Sequence, residues 1–279
     1  MQGSARSPFH FRMDFDLTQI PVPFRMQPGL RRLPAGSPQL TRLEPASALY
    51  REKRKVLEAS QSRHCVRGFD PGPALEAIVE KASADLGGQL APESPLETSV
   101  EEDFAILDGA TTTLPWLCVC VPSHWAPEDK LGLPFAAVHA PVADSGALQA
   151  VGAHLVQLVT GGECWERFVW TVTPSPRHDQ HPRRHTRAAW PATRDPEQFA
   201  AACFLRAERQ TFFPVGGGTR QAVFTIRVML QPLVEAVATR EHRERLHDSL
   251  ASMTAPVLQY KGLTAAREPL LRWLRQHRG

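Results

Sequence analysis

Proline occurs 25 times among 279 residues, about 9% and nearly twice the usual frequency. It gathers in irregular stretches such as Pro21–Pro45 and Pro174–Pro196. Each proline fixes φ and removes a backbone donor, so helices and strands must fit between these stretches. No long helix can form before about Ala46, and residues 1–45 read as an extended, proline-rich N-terminal arm. Residues 46–279 read as a single domain.

Inside that domain the hydrophobic spacing sets the elements. Ala46–Ala59 carries Tyr50, Lys53, Val56 and Leu57 at helical intervals. A second helix places Leu75, Ile78, Val79, Ala82 and Leu86 on one stripe after Asp70-Pro71 and stops at Gly87-Gly88. Phe104–Leu107 and Trp116–Val121 read as two strands around a Gly-Ala-Thr-Thr-Thr turn, and Gly146–Val159 as a helix ended by Gly161-Gly162. Trp165–Thr173 alternates, with Phe168, Trp170 and Val172 on one face and Arg167, Val169 and Thr171 on the other.

Pro174–Pro196 has no period and is expected to be a long surface loop in which His178, His181 and His185 are solvated. Cys203–Phe213 and Gln221–Leu230 are strands joined across Gly216–Gly218, with Phe204, Arg206, Glu208, Gln210 and Phe212 on one side of the first. Two helices, Leu233–Met253 and Ala265–Gln276, close the chain. The order predicts an α+β fold with a mainly antiparallel sheet.

Several function classes lose support here. The 32 basic and 29 acidic residues leave +3, with no basic stripe for nucleic acid or an anionic membrane. Apolar runs of about six residues fall short of the roughly 20 that span a bilayer. No secretory signal is evident near Met1–Leu17, and five irregularly spaced cysteines fit reduced thiols, so the expected location is the cytoplasm. Nucleotide-loop, zincin, hydrolase-elbow and iron–sulfur spacings are absent, so redox chemistry here needs electrons from outside.

Three stretches set polar groups among apolar ones: Pro122–Val142, in which His139 follows an apolar run and precedes Pro141, Trp165-Glu-Arg-Phe-Val-Trp170-Thr, and Phe204-Leu-Arg-Ala-Glu-Arg-Gln-Thr211. Together with Pro23–Leu33, Glu102–Leu107 and Tyr260-Lys-Gly-Leu263, these segments resemble the haem-dependent oxidative N-demethylase-like family, whose catalytic subunit is a haem-binding PAS domain. The resemblance implies a PAS-like antiparallel sheet with helices packed around a haem pocket, extended by N- and C-terminal helices. It also implies a haem b cofactor and a small alkylamine and dioxygen as substrates. Electrons would come ultimately from NAD(P)H through separate flavin and iron–sulfur reductase subunits.

On that reading His139 is the first candidate for the iron ligand, and His154 on the helical stripe is the second. His139 reads equally as a turn-capping side chain bonded to the main chain. Arg206, Glu208, Arg209 and Arg227 are the candidates for polarising oxygen, binding propionates or orienting the amine. The alternative for these four is a cross-strand Arg–Glu ladder on a solvated face. Gln210, Trp165 and Trp170 are expected to contact the cofactor, the tryptophans as packing surface. Cys118 and Cys120 read as buried structural thiols. A haem-based gas or redox sensor without turnover is the alternative function, to be marked by an attached output domain.

Overall fold

The computed structural model describes residues 15–88, 94–140, 143 and 152–276. In chain order its first elements are β1 (Arg31–Arg32), α1 (Ala48–Glu58), β2 (Arg63–Cys65), α2 (Gly72–Leu86) and α3 (Leu96–Ser99). Then follow β3 (Asp103–Asp108), β4 (Thr113–Cys118), α4 (Phe135–His139), α5 (Gly152–Val159) and β5 (Trp165–Thr173). The last are α6 (Pro196–Ala201), β6 (Phe204–Pro214), β7 (Gln221–Pro232), α7 (Leu233–Ala236), α8 (Arg240–Ala251), α9 (Ala255–Tyr260) and α10 (Arg267–Gln276).

Local chemistry explains the ends of the helices. Ser47 Oγ accepts from Tyr50 N at 3.0 Å and opens α1. Gly87, in the left-handed region at φ 68°, closes α2 as the Gly-Gly pair predicts. The expected Leu233–Met253 helix is two: α7 ends at Ala236, and Thr239 caps α8 by accepting from His242 N at 3.2 Å. A capping threonine inside an apolar stripe divides it, because its side chain satisfies a donor that starts a new helix. Of the Gly146–Val159 helix, residues before Gly152 lie outside the described residues.

Among the described residues the strands form one antiparallel sheet ordered β1-β5-β6-β7-β3-β4-β2. The α+β class is therefore as the sequence predicts. Within it, β6 and β7 are the hairpin expected across Gly216–Gly218, whereas β5 reaches β6 only through the long 174–203 link that contains α6. The fourth strand starts earlier than its apolar run, at Thr113, because Phe104, Ile106 and Asp108 pair with Cys118, Trp116 and Thr113. Strands β1 and β2, too short for any period to reveal, add to the two edges.

Alternation gives the sheet two faces. On one, Trp170, Val172, Leu205, Ala207 and Met229 pack against α6, α8, α9, α10 and Phe15–Ile20, and α2 covers Phe104, Ile106 and Trp116. The other face carries Leu107, Phe212, Ala105 and Leu117 and is covered by α5, Phe135 of α4 and Trp125. Residues 15–45 lie on this body: Phe15, Leu17, Ile20, Leu40 and Leu43 are buried, and β1 pairs with Trp165 and Glu166. No helix among the described residues is long and apolar enough to cross a membrane.

Candidate functional site

The register sorts the candidate side chains by face. Arg167 stands opposite Gln210, Val169 opposite Glu208, and Thr171 opposite Arg206, so Arg167, Arg206, Glu208 and Gln210 project from the α5-covered face. Phe168 stands opposite Arg209, which stands opposite Arg227. Those two arginines therefore lie on the far face, where Arg209 Nε donates to Glu166 Oε1 and Arg227 Nε to Glu101 Oε2, each at 2.6 Å. The tryptophans are separated in the same way. Trp165, opposite Phe212, joins the cluster of Phe135, Val156 and Val159, while Trp170 packs edge-on to Phe24 at 6.0 Å in the C-terminal core.

Glu208 is the centre of the polar row. One of its oxygens accepts from Ser123 Oγ, and the other accepts from Gln210 Nε2 at 2.7 Å. Gln210 Oε1 in turn accepts from Arg167 Nε at 2.6 Å. Ser123 Oγ accepts from Arg206 Nε at 2.7 Å, which leaves the hydroxyl proton for Glu208. Both carboxylate oxygens thus accept from neutral side-chain donors. Arg206, 2% exposed, spends its remaining N–H groups on the carbonyls of Val121, Arg177 and His178.

Ser123 is the member of this row that the sequence does not reveal. It sits between Pro122 and His124 in an aperiodic stretch, and its partners are more than 80 residues away. The Pro174–Pro196 stretch corrects another expectation. His178 and His181 are buried, at 7% and 3% exposure, rather than solvated. Glu52 of α1 accepts from Asp179 N at 2.7 Å, His181 Nε2 lies 3.1 Å from Glu128, and His185 Nε2 lies 3.0 Å from Asp179. Arg184 Nε donates to Asp179 at 2.9 Å. Glu52 and Glu128, distant in sequence, and Asp179 within the stretch supply the partners that let a polar loop leave water.

His139 ends α4. Its Nδ1 lies 2.8 Å from Phe135 O, and its ring packs on that of Phe135 with centroids 4.1 Å apart. Burial holds the imidazole pKa down at about 4, with a smaller upward push from the Phe135 carbonyl and downward pushes from Arg167 and Lys130. The ring is therefore neutral at pH 7. A carbonyl partner requires the proton on Nδ1, and Nε2 is left as an acceptor without a partner among the described residues. The main-chain bond and a ligand role are thus compatible rather than exclusive. His154 is exposed on α5.

Tyr260, the last residue of α9, and Lys261 after it border the row. Lys261 Nζ donates to Trp170 O at 2.6 Å and lies 5.2 Å and 5.4 Å from the ring centroids of Phe24 and Trp170. Burial pushes its pKa down to about 8, and the Glu208 charge acts against that shift. Cys118 and Cys120 are buried, with thiol pKa values raised by burial, so they are neutral thiols.

A half-buried neutral imidazole with one committed nitrogen, an apolar wall of Phe135, Val156, Trp165 and Phe212, and a row of charged groups fit a flat, amphipathic cofactor with a metal centre. Trp165 Nε1 is buried in that wall without a protein acceptor among the described residues. The comparison with protein families agrees with this chemistry. Residues 69–271, more than half of the chain, match the family described as haem-dependent oxidative N-demethylase, alpha subunit-like, and the chain belongs to that family.

Proposed function

We propose that the chain is the oxygenase subunit of an oxidative N-demethylase, with a PAS-like body that holds haem b through His139 Nε2. The observation that carries the reading is the Nδ1–Phe135 O bond, which fixes the tautomer needed by a neutral imidazole ligand. When bound, the haem supplies dioxygen activation. The overall reaction takes a dialkylamine, dioxygen, two electrons and two protons to the shorter amine, formaldehyde and water.

The side chains divide the remaining work. Glu208, held in place by Ser123 and Gln210, receives the ammonium end of a small alkylamine. Arg206 positions Ser123 and Glu208 from behind, since its donors are taken by main-chain oxygens and by Ser123. Trp165 and Phe212 supply the dry wall. Arg209 and Arg227 brace the far face through Glu166 and Glu101. Electrons are to come from NAD(P)H through separate flavin and iron–sulfur subunits; the alpha-subunit description of the family supports the presence of partner subunits, without naming them. The free cysteines suit a cytoplasmic setting.

The test is an absorption titration of the purified protein with haemin, repeated on His139→Ala and His154→Ala. The ferrous spectrum is expected to change only in the first. The reduced, reconstituted protein is then given oxygen and dimethylamine, and formaldehyde is measured. A preparation that stays colourless, or a spectrum that depends on His154 alone, overturns the assignment.

A further inference from the structure

Arginines in and beside this sheet end on carboxylates: Arg31 and Arg209 on Glu166, Arg63 on Glu97, Arg227 on Glu101. Arg206 is surrounded by oxygen acceptors. Arg167 differs from all of these. Its Nε donates to Gln210 Oε1 at 2.6 Å, and its two terminal nitrogens have no partner among the described residues. The side chain is partly buried on the α5-covered face, one alternation along from Trp165.

Charge balance sharpens the contrast. Glu208 is the carboxylate that acts on both Arg167 and Lys261, and it also acts on Arg206, so three cations face this one anion. The Arg167 charge also reaches His139. Four unused N–H groups in one plane form the fork that takes a carboxylate through two parallel hydrogen bonds.

The geometry points to Arg167 as the residue that receives a carboxylate of the bound ligand, beside the carboxylate of Glu208. This rests on the amine and haem reading above and narrows it. Two sources carry the group: a porphyrin propionate, or the acid end of an N-methyl amino acid whose ammonium end meets Glu208.

Two binding arms separate these sources, neither of them an activity assay. In the first, wild type and Arg167→Gln are titrated with haemin and with haemin dimethyl ester, read by Soret absorbance. In the second, both proteins are titrated with N-methylglycine and with dimethylamine, read by tryptophan fluorescence. A preference of about tenfold or more for the acid form in either arm, lost in Arg167→Gln, supports the inference and names the source. Arg167→Lys, which keeps the charge but loses the fork, should retain part of the preference and serves if the glutamine variant does not fold. Equal binding of acid and non-acid forms by wild type in both arms, or preferences that survive in Arg167→Gln, overturns the inference. Refusal of haemin alongside Arg167-dependent binding of N-methylglycine overturns the haem assignment alone.

Discussion

Lys53 Nζ lies 3.0 Å from Asp103 Oδ1, and neither side chain reaches solvent. The ammonium also donates to Glu102 O at 2.8 Å and Val100 O at 3.2 Å. Asp103 Oδ2 accepts from Cys120 N and Val121 N at 3.0 and 2.8 Å. One pair thus joins α1, the start of β3 and the segment that leads to Ser123. Removing one partner of a buried pair strands the other charge, which costs about 3–5 kcal/mol. Lys53→Met should lower the urea midpoint accordingly. Adding Asp103→Asn, which removes the stranded charge and keeps an acceptor, should recover more than half of the loss.

Glu102 lies beside this pair, 1% exposed, and burial pushes its carboxyl up to about 7 against the opposing effects of Thr41 N–H and Arg227. Its ordinary value is 4.5, so between these pH values the folded protein holds a proton that the unfolded chain releases. Stability must therefore fall as pH rises from 4.5 to 7 and level off above, by at most about 3 kcal/mol from this group. Urea midpoints across that range should show the decline in wild type and lose this component in Glu102→Gln.

Ser123→Ala tests the Glu208 row without touching a charge. It deprives buried Arg206 Nε of its acceptor and Glu208 of a donor. Leaving such groups unsatisfied costs about 1–3 kcal/mol. Thermal unfolding should report that loss, and Ser123→Thr, which keeps the hydroxyl, should show the smaller change.

Gly262 sits at φ 69°, and a Cβ there would stand 2.0 Å from an Arg187 terminal nitrogen. Gly262→Ala thus meets two obstacles, a left-handed backbone worth about 1–2 kcal/mol and a clash with a flexible side chain. Adding Arg187→Ala should relieve the clash alone, and the residual loss in a denaturation series measures the backbone part.

The parts of this protein that rest on near neighbours were legible. Alternation in β5, β6 and β7 gave their faces, and the facing of Arg206, Glu208 and Gln210 followed from it. The same alternation already set Arg209 on the opposite side, which the register extends to Arg227. Long-range partners were not legible. The burial of His178 depends on Glu52 in α1, and the place of Ser123 depends on β6, so no local pattern marks either. His139 stood out because it was alone in an apolar run, but its tautomer required the turn of helix that brings Phe135 O to Nδ1.

The grip of Arg206 on oxygens from residues 121, 177 and 178 has an evolutionary corollary. An insertion or deletion between Thr173 and His178 would slide new peptide units under the guanidinium and disturb several contacts at once. One at the exposed Gly216–Gly218 tip would disturb none of them. Length variation among relatives should therefore concentrate at the hairpin tip and spare the beginning of the link after β5.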